Sequence, residues 1–178
     1  MPRRPTRTVP TVLLTGQLAE GDWPAWLAAE LTAAGRTVRH RALTEPDPAQ
    51  LTATLADLPP DGFDVVAHSV GCLAWLRHAH SAAEGPRPAR VALVAPPAGY
   101  GPVALDVDAV RRAADGTVLV GSDNDLACPA GVAAEYGAPL KMATTVVTGA
   151  GSFTAADGYG PWPAVLDWCG RDNLAFRA

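Results

Sequence analysis

Two segments of the sequence carry residues whose types and spacing could do chemistry together. In DVVAHSVGCLAWLRHA, Asp64 to Ala79, a buried β-branched run turns abruptly into a helical stretch at Ser69. Ala67-His68-Ser69-Val70-Gly71 has the spacing of a nucleophile elbow, a tight strained turn that presents a serine hydroxyl beyond the end of a strand. Small residues two places to either side relieve the crowding there, and Ala67 stands where a glycine is usual, a difference of one methyl. A serine that merely caps a helix would give a similar string; the strand before it and the helix after it favour the elbow. Farther on, VLVGSDNDLACP places carboxylates just past another strand. A carboxylate there can hold and orient an imidazole in a relay whose chain order is serine, acid, histidine. Asp125 is the candidate acid and Asp123 the weaker one. The structural alternative for both is an Asx turn ahead of Pro129.

These residues need strands and helices to position them. Short β-branched runs alternate with alanine-rich stretches, the signature of a parallel sheet covered by helices on both faces. The pattern predicts an α/β fold, a three-layer α/β/α sandwich with a mostly parallel sheet of about six strands. The expected strands are Val9–Thr15, Thr37–Arg41, Asp64–His68, Arg90–Ala95, Thr117–Gly121 and Thr144–Thr148. The expected helices are Pro24–Ala34, Pro48–Leu58, Val70–Ala79, Pro129–Glu135 and Pro163–Cys169, with a short one at Asp108–Ala113 in an otherwise loop-like link. Ligands of such sheets bind beyond the carboxyl ends of the strands, where Ser69 is expected. Residues 1–8 read as a mobile N-terminal extension and residues 9–178 as a single domain.

Composition narrows the partners. The chain has 178 residues, is 48% hydrophobic and 18% charged, and has a net charge of −4, so neither disorder nor a basic nucleic-acid footprint is indicated. A small-molecule substrate is expected, with no nucleic acid and no membrane. The twin arginine near the start precedes no apolar signal core and no run is long enough to span a bilayer, so a cytoplasmic protein is expected. Cys72, Cys128 and Cys169 lie far apart without zinc spacing and read as reduced, buried thiols. Scattered aspartates such as Asp22 and Asp106 read as solvated caps, and no metal or cofactor is expected. Gly149-Ala150-Gly151 follows the last strand and lacks the rest of a dinucleotide fingerprint, so it reads as a tight turn. Most of the five tryptophans read as core; Trp162, near Tyr159, is expected to border a pocket.

In combination and in order, AHSVGCLAWLRHA (67–79), VALVAPP (91–97), GSDNDLACP (121–129) and GAGSFTAADGYGPWP (149–163) resemble the small serine hydrolases of the YdeN and retinoblastoma-binding-protein-nine type, a compact branch of the α/β-hydrolases. LLTGQLAEGDWPAW, with Trp23 and Trp26, resembles that family's loop and helix after the first strand. The resemblance implies a minimal hydrolase fold without a lid domain, Ser69 at the nucleophile position and Asp125 at the acid position. It further implies oxyanion-hole donors in the backbone N–H groups of Val70 and Gln17. Trp23, Tyr159 and Trp162 are the pocket candidates. The family's histidine position is occupied here by Ser152.

That departure bears on function. A serine hydroxyl is a poor nucleophile without an adjacent base, and Ser152 cannot be that base near neutral pH. His68 directly precedes Ser69, and neighbours on a strand point to opposite faces, so its ring should lie away from the hydroxyl. His78 and His80 lie two to three turns along the elbow helix, and His40 belongs to a different strand; all three read as surface or structural. Three readings follow: an enzyme repurposed for a non-hydrolytic step (cyclisation, elimination, isomerisation or rearrangement) on a carbonyl-bearing small molecule, a weak ester or thioester hydrolase with a non-standard base, and a noncatalytic binding protein.

Overall fold

Six parallel strands form one sheet in the order β2-β1-β3-β4-β5-β6, with β1 at Thr11–Thr15, β2 at Val38–Ala42, β3 at Asp64–His68, β4 at Arg90–Val94, β5 at Gly116–Ser122 and β6 at Ala143–Val147. This computed structural model describes residues 9–59, 62–81, 84–99 and 105–177, and the N-terminal extension read from the sequence lies outside them. The helices are α1 at Trp23–Ala33, α2 at Pro48–Leu55, α3 at Val70–His80, α4 at Val107–Arg112, α5 at Ala138–Leu140 and α6 at Pro163–Gly170. Three of the four interior strands, β1, β3 and β4, are buried along their whole length, as continuous apolar runs in a parallel sheet require.

The two faces hold separate cores. Leu14, Val65, Ala67, Leu93 and Leu119 meet Leu51, Cys72, Trp75 and Leu76 on the α2–α3 face. Leu13, Val66, Val94 and Val120 meet Trp23, Leu27, Val165 and Trp168 on the α1–α6 face. The layers are therefore α/β/α, as the alternation predicts. From β1 the chain steps outward to β2, then returns to β3 on the other side of β1, so the order reverses between β1 and β3. The loops after these two strands flank the crevice that such a reversal opens at the strands' carboxyl ends.

At the opposite end of the sheet, Asp64 is fully buried and accepts from Arg90 Nη2 at 2.6 Å and Nε at 3.2 Å, and from Arg36 Nη2 at 3.4 Å. The guanidiniums spend other donors on the carbonyls of Val9, Trp168, Cys169 and Asn173. Burying charge is tolerable only with such complete pairing, and here it fastens the end of α6 to the sheet. The three cysteines are free and buried. Burial raises the Cys72 thiol and pushes Cys169 up to about 12, so neither is a ready nucleophile.

The helix expected at Pro129–Glu135 forms later. Residues 125–131 close on themselves, Cys128 N donating to Asp125 O and Gly131 N to Cys128 O, and helical structure begins with a π turn at Ala133–Gly137 that runs into α5. Pro139 has no N–H to give the carbonyl four residues back, and a widened turn is one way to absorb that loss.

Candidate active site

β3 ends directly in α3 with only Ser69 between them, and Ser69 takes φ 54° and ψ −122°. A non-glycine residue there is strained by roughly 1–3 kcal/mol and persists only when its surroundings fix it. Ser69 N donates to Val94 O at 3.0 Å and Ser69 O accepts from Cys72 N at 2.9 Å. Gly71 allows the turn, since a Cβ there would collide with the carbonyl of Leu14 on β1. The Ser69 hydroxyl is half-buried and makes no hydrogen bond among the described residues. The N–H groups of Gln17, on the loop after β1, and of Val70, at the start of α3, likewise have no acceptor there.

Asp125 lies past the end of β5 and is 5% exposed. Its Oδ1 accepts from Ala127 N at 2.9 Å, the Asx turn that the sequence allows, and also from Ser152 Oγ at 2.6 Å. The same oxygen thus closes the Asx turn and takes the Ser152 hydroxyl. Oδ2 has no hydrogen bond among the described residues.

Ser152 is held there by two loops that interlock residue by residue. Asp123 Oδ1 accepts from Gly149 N at 2.7 Å, Ser122 Oγ from Ala150 N at 2.9 Å and Asn124 Oδ1 from Gly151 N at 2.7 Å. Asp123, the weaker acid candidate, is thus a backbone clamp. Gly149 and Gly151 sit at φ 70° and 55°, the tight turn expected, and a side chain at Gly151 would strike the Asp157 carboxylate. That carboxylate accepts from Ser152 N and Thr154 N, each at 3.1 Å, and from Thr154 Oγ1 at 2.7 Å. Bonds from the Thr154 hydroxyl and amide hold its pKa below the ordinary carboxylate range. Asp22 joins this loop to the one after β1, accepting from Ala19 N at 2.7 Å and from Ala155 N at 2.8 Å.

His68 points away from the Ser69 hydroxyl, as strand alternation requires, into the α1–α6 face. Its Nε2 donates to Ser152 O at 2.8 Å and its ring stands edge-on to Trp23 at 5.4 Å. Desolvation lowers its pKa, only partly offset by the Ser152 carbonyl and the Asp22 and Asp125 carboxylates. The other histidines are structural: His40 meets Thr15, His78 meets Thr52 and His80 Nδ1 accepts from Asp106 N. Trp23 and Trp162 are 1% and 7% exposed and pack edge-to-face at 5.3 Å. With Phe153 they form an aromatic core beneath the Ser152 loop rather than open pocket walls, because each ring gains more area from the others than from solvent. Tyr159, half-buried, is 4.8 Å from Phe153 and 5.2 Å from Trp162. Beside the elbow, a groove of about 460 Å³ runs between Thr44–Pro48 and the Val70, Leu73 and Arg77 side of α3. Nothing in the sequence marked that groove, because its walls come from segments some 25 residues apart.

An open parallel α/β sheet with a strained serine between β3 and α3 and a buried carboxylate past β5 defines an α/β-hydrolase type of protein. The serine hydrolase family model matches residues 15–170, and the chain belongs to that family. Its fold is similar to the YdeN gene product of Bacillus subtilis, with a TM-score of 0.73 and 20% identity over 90% of this chain and 96% of that one. It is also similar to a YdeN-like hydrolase from Pectobacterium atrosepticum, with a TM-score of 0.64 and 20% identity over 91% and 89% of the two chains. No curated protein matches. Among the described residues no helix is long and apolar enough to cross a membrane.

Proposed function

We propose that this member of the serine hydrolase family acts on a carbonyl- or ester-bearing small molecule at Ser69, and that Ser152 stands where the base of the relay would be. The observation that carries this reading is the 2.6 Å hydrogen bond from Ser152 Oγ to Asp125 Oδ1, beside an elbow serine whose own hydroxyl has no acceptor among the described residues. A hydroxyl satisfies the carboxylate but cannot take a proton from Ser69, so acylation of Ser69 is slow. The remaining parts suit a step that needs no acyl-enzyme. The amides of Gln17 and Val70 would hold a developing oxyanion, Ser69 would donate a hydrogen bond to the same carbonyl, and Asp125 Oδ2 would accept or return a proton at a neighbouring carbon. A cyclisation, elimination, isomerisation or rearrangement fits that set, with the groove at Val70 and Leu73 holding the body of the substrate. The intact strain at Ser69 favours one second reading, slow ester or thioester hydrolysis, since oxyanion donors and binding alone leave roughly 10³–10⁴-fold acceleration over water.

A fluorophosphonate probe separates the two. Slow or absent labelling of Ser69 in the parent protein, becoming rapid in Ser152→His, supports a base lost from position 152. Rapid labelling of the parent overturns the non-hydrolytic reading, because it requires an activated hydroxyl.

A further inference from the structure

The sheet has two outer edges, and they differ in chemistry. β2, at one edge, reads Val38-Arg39-His40-Arg41-Ala42, and basic side chains along an edge strand discourage pairing with another chain. β6, at the other, reads Ala143-Thr144-Thr145-Val146-Val147, with neither charge nor proline, and among the described residues pairs with β5 alone. Its backbone makes no hydrogen bond outside the sheet among the described residues, and Val146 is 51% exposed. Natural sheets seldom leave such an edge unguarded.

The two ends of this edge carry opposite charge. Lys141 is exposed two residues before β6, in a cleft shared with Arg111 and Asp115 that stays net positive. At the far end the exposed carboxylate of Asp123 accepts from Gly149 N, two residues past the strand. We propose that β6 pairs antiparallel with β6 of a second copy of this chain, across a two-fold axis at Thr145, joining two six-stranded sheets into one. Full overlap sets Ala143 opposite Val147, Thr144 opposite Val146 and Thr145 opposite its own copy, all pairings of small or β-branched residues that suit cross-strand contact. Lys141 then falls opposite Gly149 of the second copy, beside the Asp123 carboxylate that clamps it, and the two-fold makes this match twice. A parallel pairing would set lysine against lysine. Self-complementarity of this kind marks an isologous interface, and it commits the edge to a second copy of this chain.

Sedimentation of the full chain over a range of concentrations tests the proposal. A species of twice the chain's mass should grow with concentration. Val146→Lys, which puts a charge on the edge without touching the core, should weaken it by about tenfold or more. Lys141→Glu should weaken it too, and the charge swap Lys141→Glu with Asp123→Lys should restore it. The swap is the informative arm, because Asp123→Lys alone also releases Gly149. Unchanged melting of Val146→Lys at high dilution shows that the variant folds. A chain that stays monomeric at every concentration, or a dimer that both Val146→Lys and Lys141→Glu leave intact, overturns the proposal.

Discussion

Ser152 gives its hydroxyl proton to Asp125 Oδ1 at 2.6 Å while its carbonyl accepts from the ring of His68 at 2.8 Å. One residue thus ties the loop after β6 both to the carboxylate past β5 and to His68, the last residue of the strand before Ser69. Both of its polar ends are occupied, so the loop is set in place with no imidazole in it.

Replacing Ser152 with histidine therefore changes the chemistry more than the fold. The loop backbone is clamped by Asp157, Asn124 and Ser122 rather than by the Ser152 side chain. Ser152→His should gain hydrolysis of simple activated esters by about 10²–10⁴-fold, the usual worth of a positioned general base. Steady-state rates on p-nitrophenyl esters check this, and the gain should vanish in Ser152→His with Asp125→Asn or with Ser69→Ala. A Ser152→His protein that is folded and no faster than its parent sinks the assignment of position 152.

Ser152→Ala tests the same bond from the side of stability. It leaves Asp125 Oδ1 with the Ala127 amide alone, and a hydrogen bond to a charged group is worth about 1.5–3 kcal/mol. Chemical denaturation should show a loss of that order. A loss near zero would mean that water replaces the hydroxyl at no cost and that the Ser152 side chain does not hold the carboxylate.

The sheet was legible in the sequence because its physics is local. Each of the six expected strands forms, β3 with the expected ends and the others with ends displaced by at most two residues, since a short run rich in β-branched residues marks a strand wherever it lies. The elbow was legible for the same reason: Ser69, Val70 and Gly71 are contiguous, and the strain at Ser69 follows from strand meeting helix. The interlock of residues 122–125 with 149–152 was not, because each bond joins loops 26 to 28 positions apart, and a serine or asparagine side chain bonding a distant amide leaves no periodicity. Trp162 was expected at a pocket and lies in an aromatic core for a related reason. A tryptophan's partners, here Trp23, Phe153, Tyr159 and Phe176, are chosen by tertiary packing. Pro129 looked like a helix start, yet the turn made by Asp125 delays the helix to Ala133.

Gly71 should be the least replaceable small residue near the site. A Cβ there meets the backbone carbonyl of Leu14 in the central strand β1, which cannot yield without disturbing the sheet. Gly121→Ala meets the Cβ and a methyl of Val132, which only a shift of the turn ahead of α5 relieves, and that turn lies outside the sheet. Gly71→Ala should cost about 3 kcal/mol or prevent folding, and Gly121→Ala about 1–2 kcal/mol. Paired denaturant titrations decide it, and equal costs would contradict the close approach of α3 to β1.

The buried ion cluster supplies a prediction far from the site. Asp64 is fully buried between two guanidiniums whose other donors go to main-chain carbonyls. Removing the carboxylate as Asp64→Asn leaves two adjacent buried cations without their counter-charge, which should cost about 3–5 kcal/mol. The same change should loosen the end of α6, visible as faster amide exchange at Trp168 and Cys169. A loss under about 1 kcal/mol would mean that the carbonyls alone hold Arg36 and Arg90.

His68 gives the fold a pH dependence whose sign is fixed by its burial. Its folded pKa lies below the ordinary value of 6.5, chiefly through desolvation, and His40 and His78 are shifted the same way. Between the lowered folded value and 6.5 the unfolded chain binds protons that the folded chain does not, so stability rises with pH there. The contribution is fully present above about 6.5 and is lost as pH falls toward the folded value. Melting temperature should therefore drop between about pH 7 and pH 5. His68→Gln, which can keep a donor to Ser152 O and does not titrate, should flatten that drop while leaving the melting temperature near neutral pH within a few degrees. A slope unchanged in His68→Gln would place the titration on His40 or His78 instead, and would mean that the imidazole behind Ser152 is better solvated than its 5% exposure indicates.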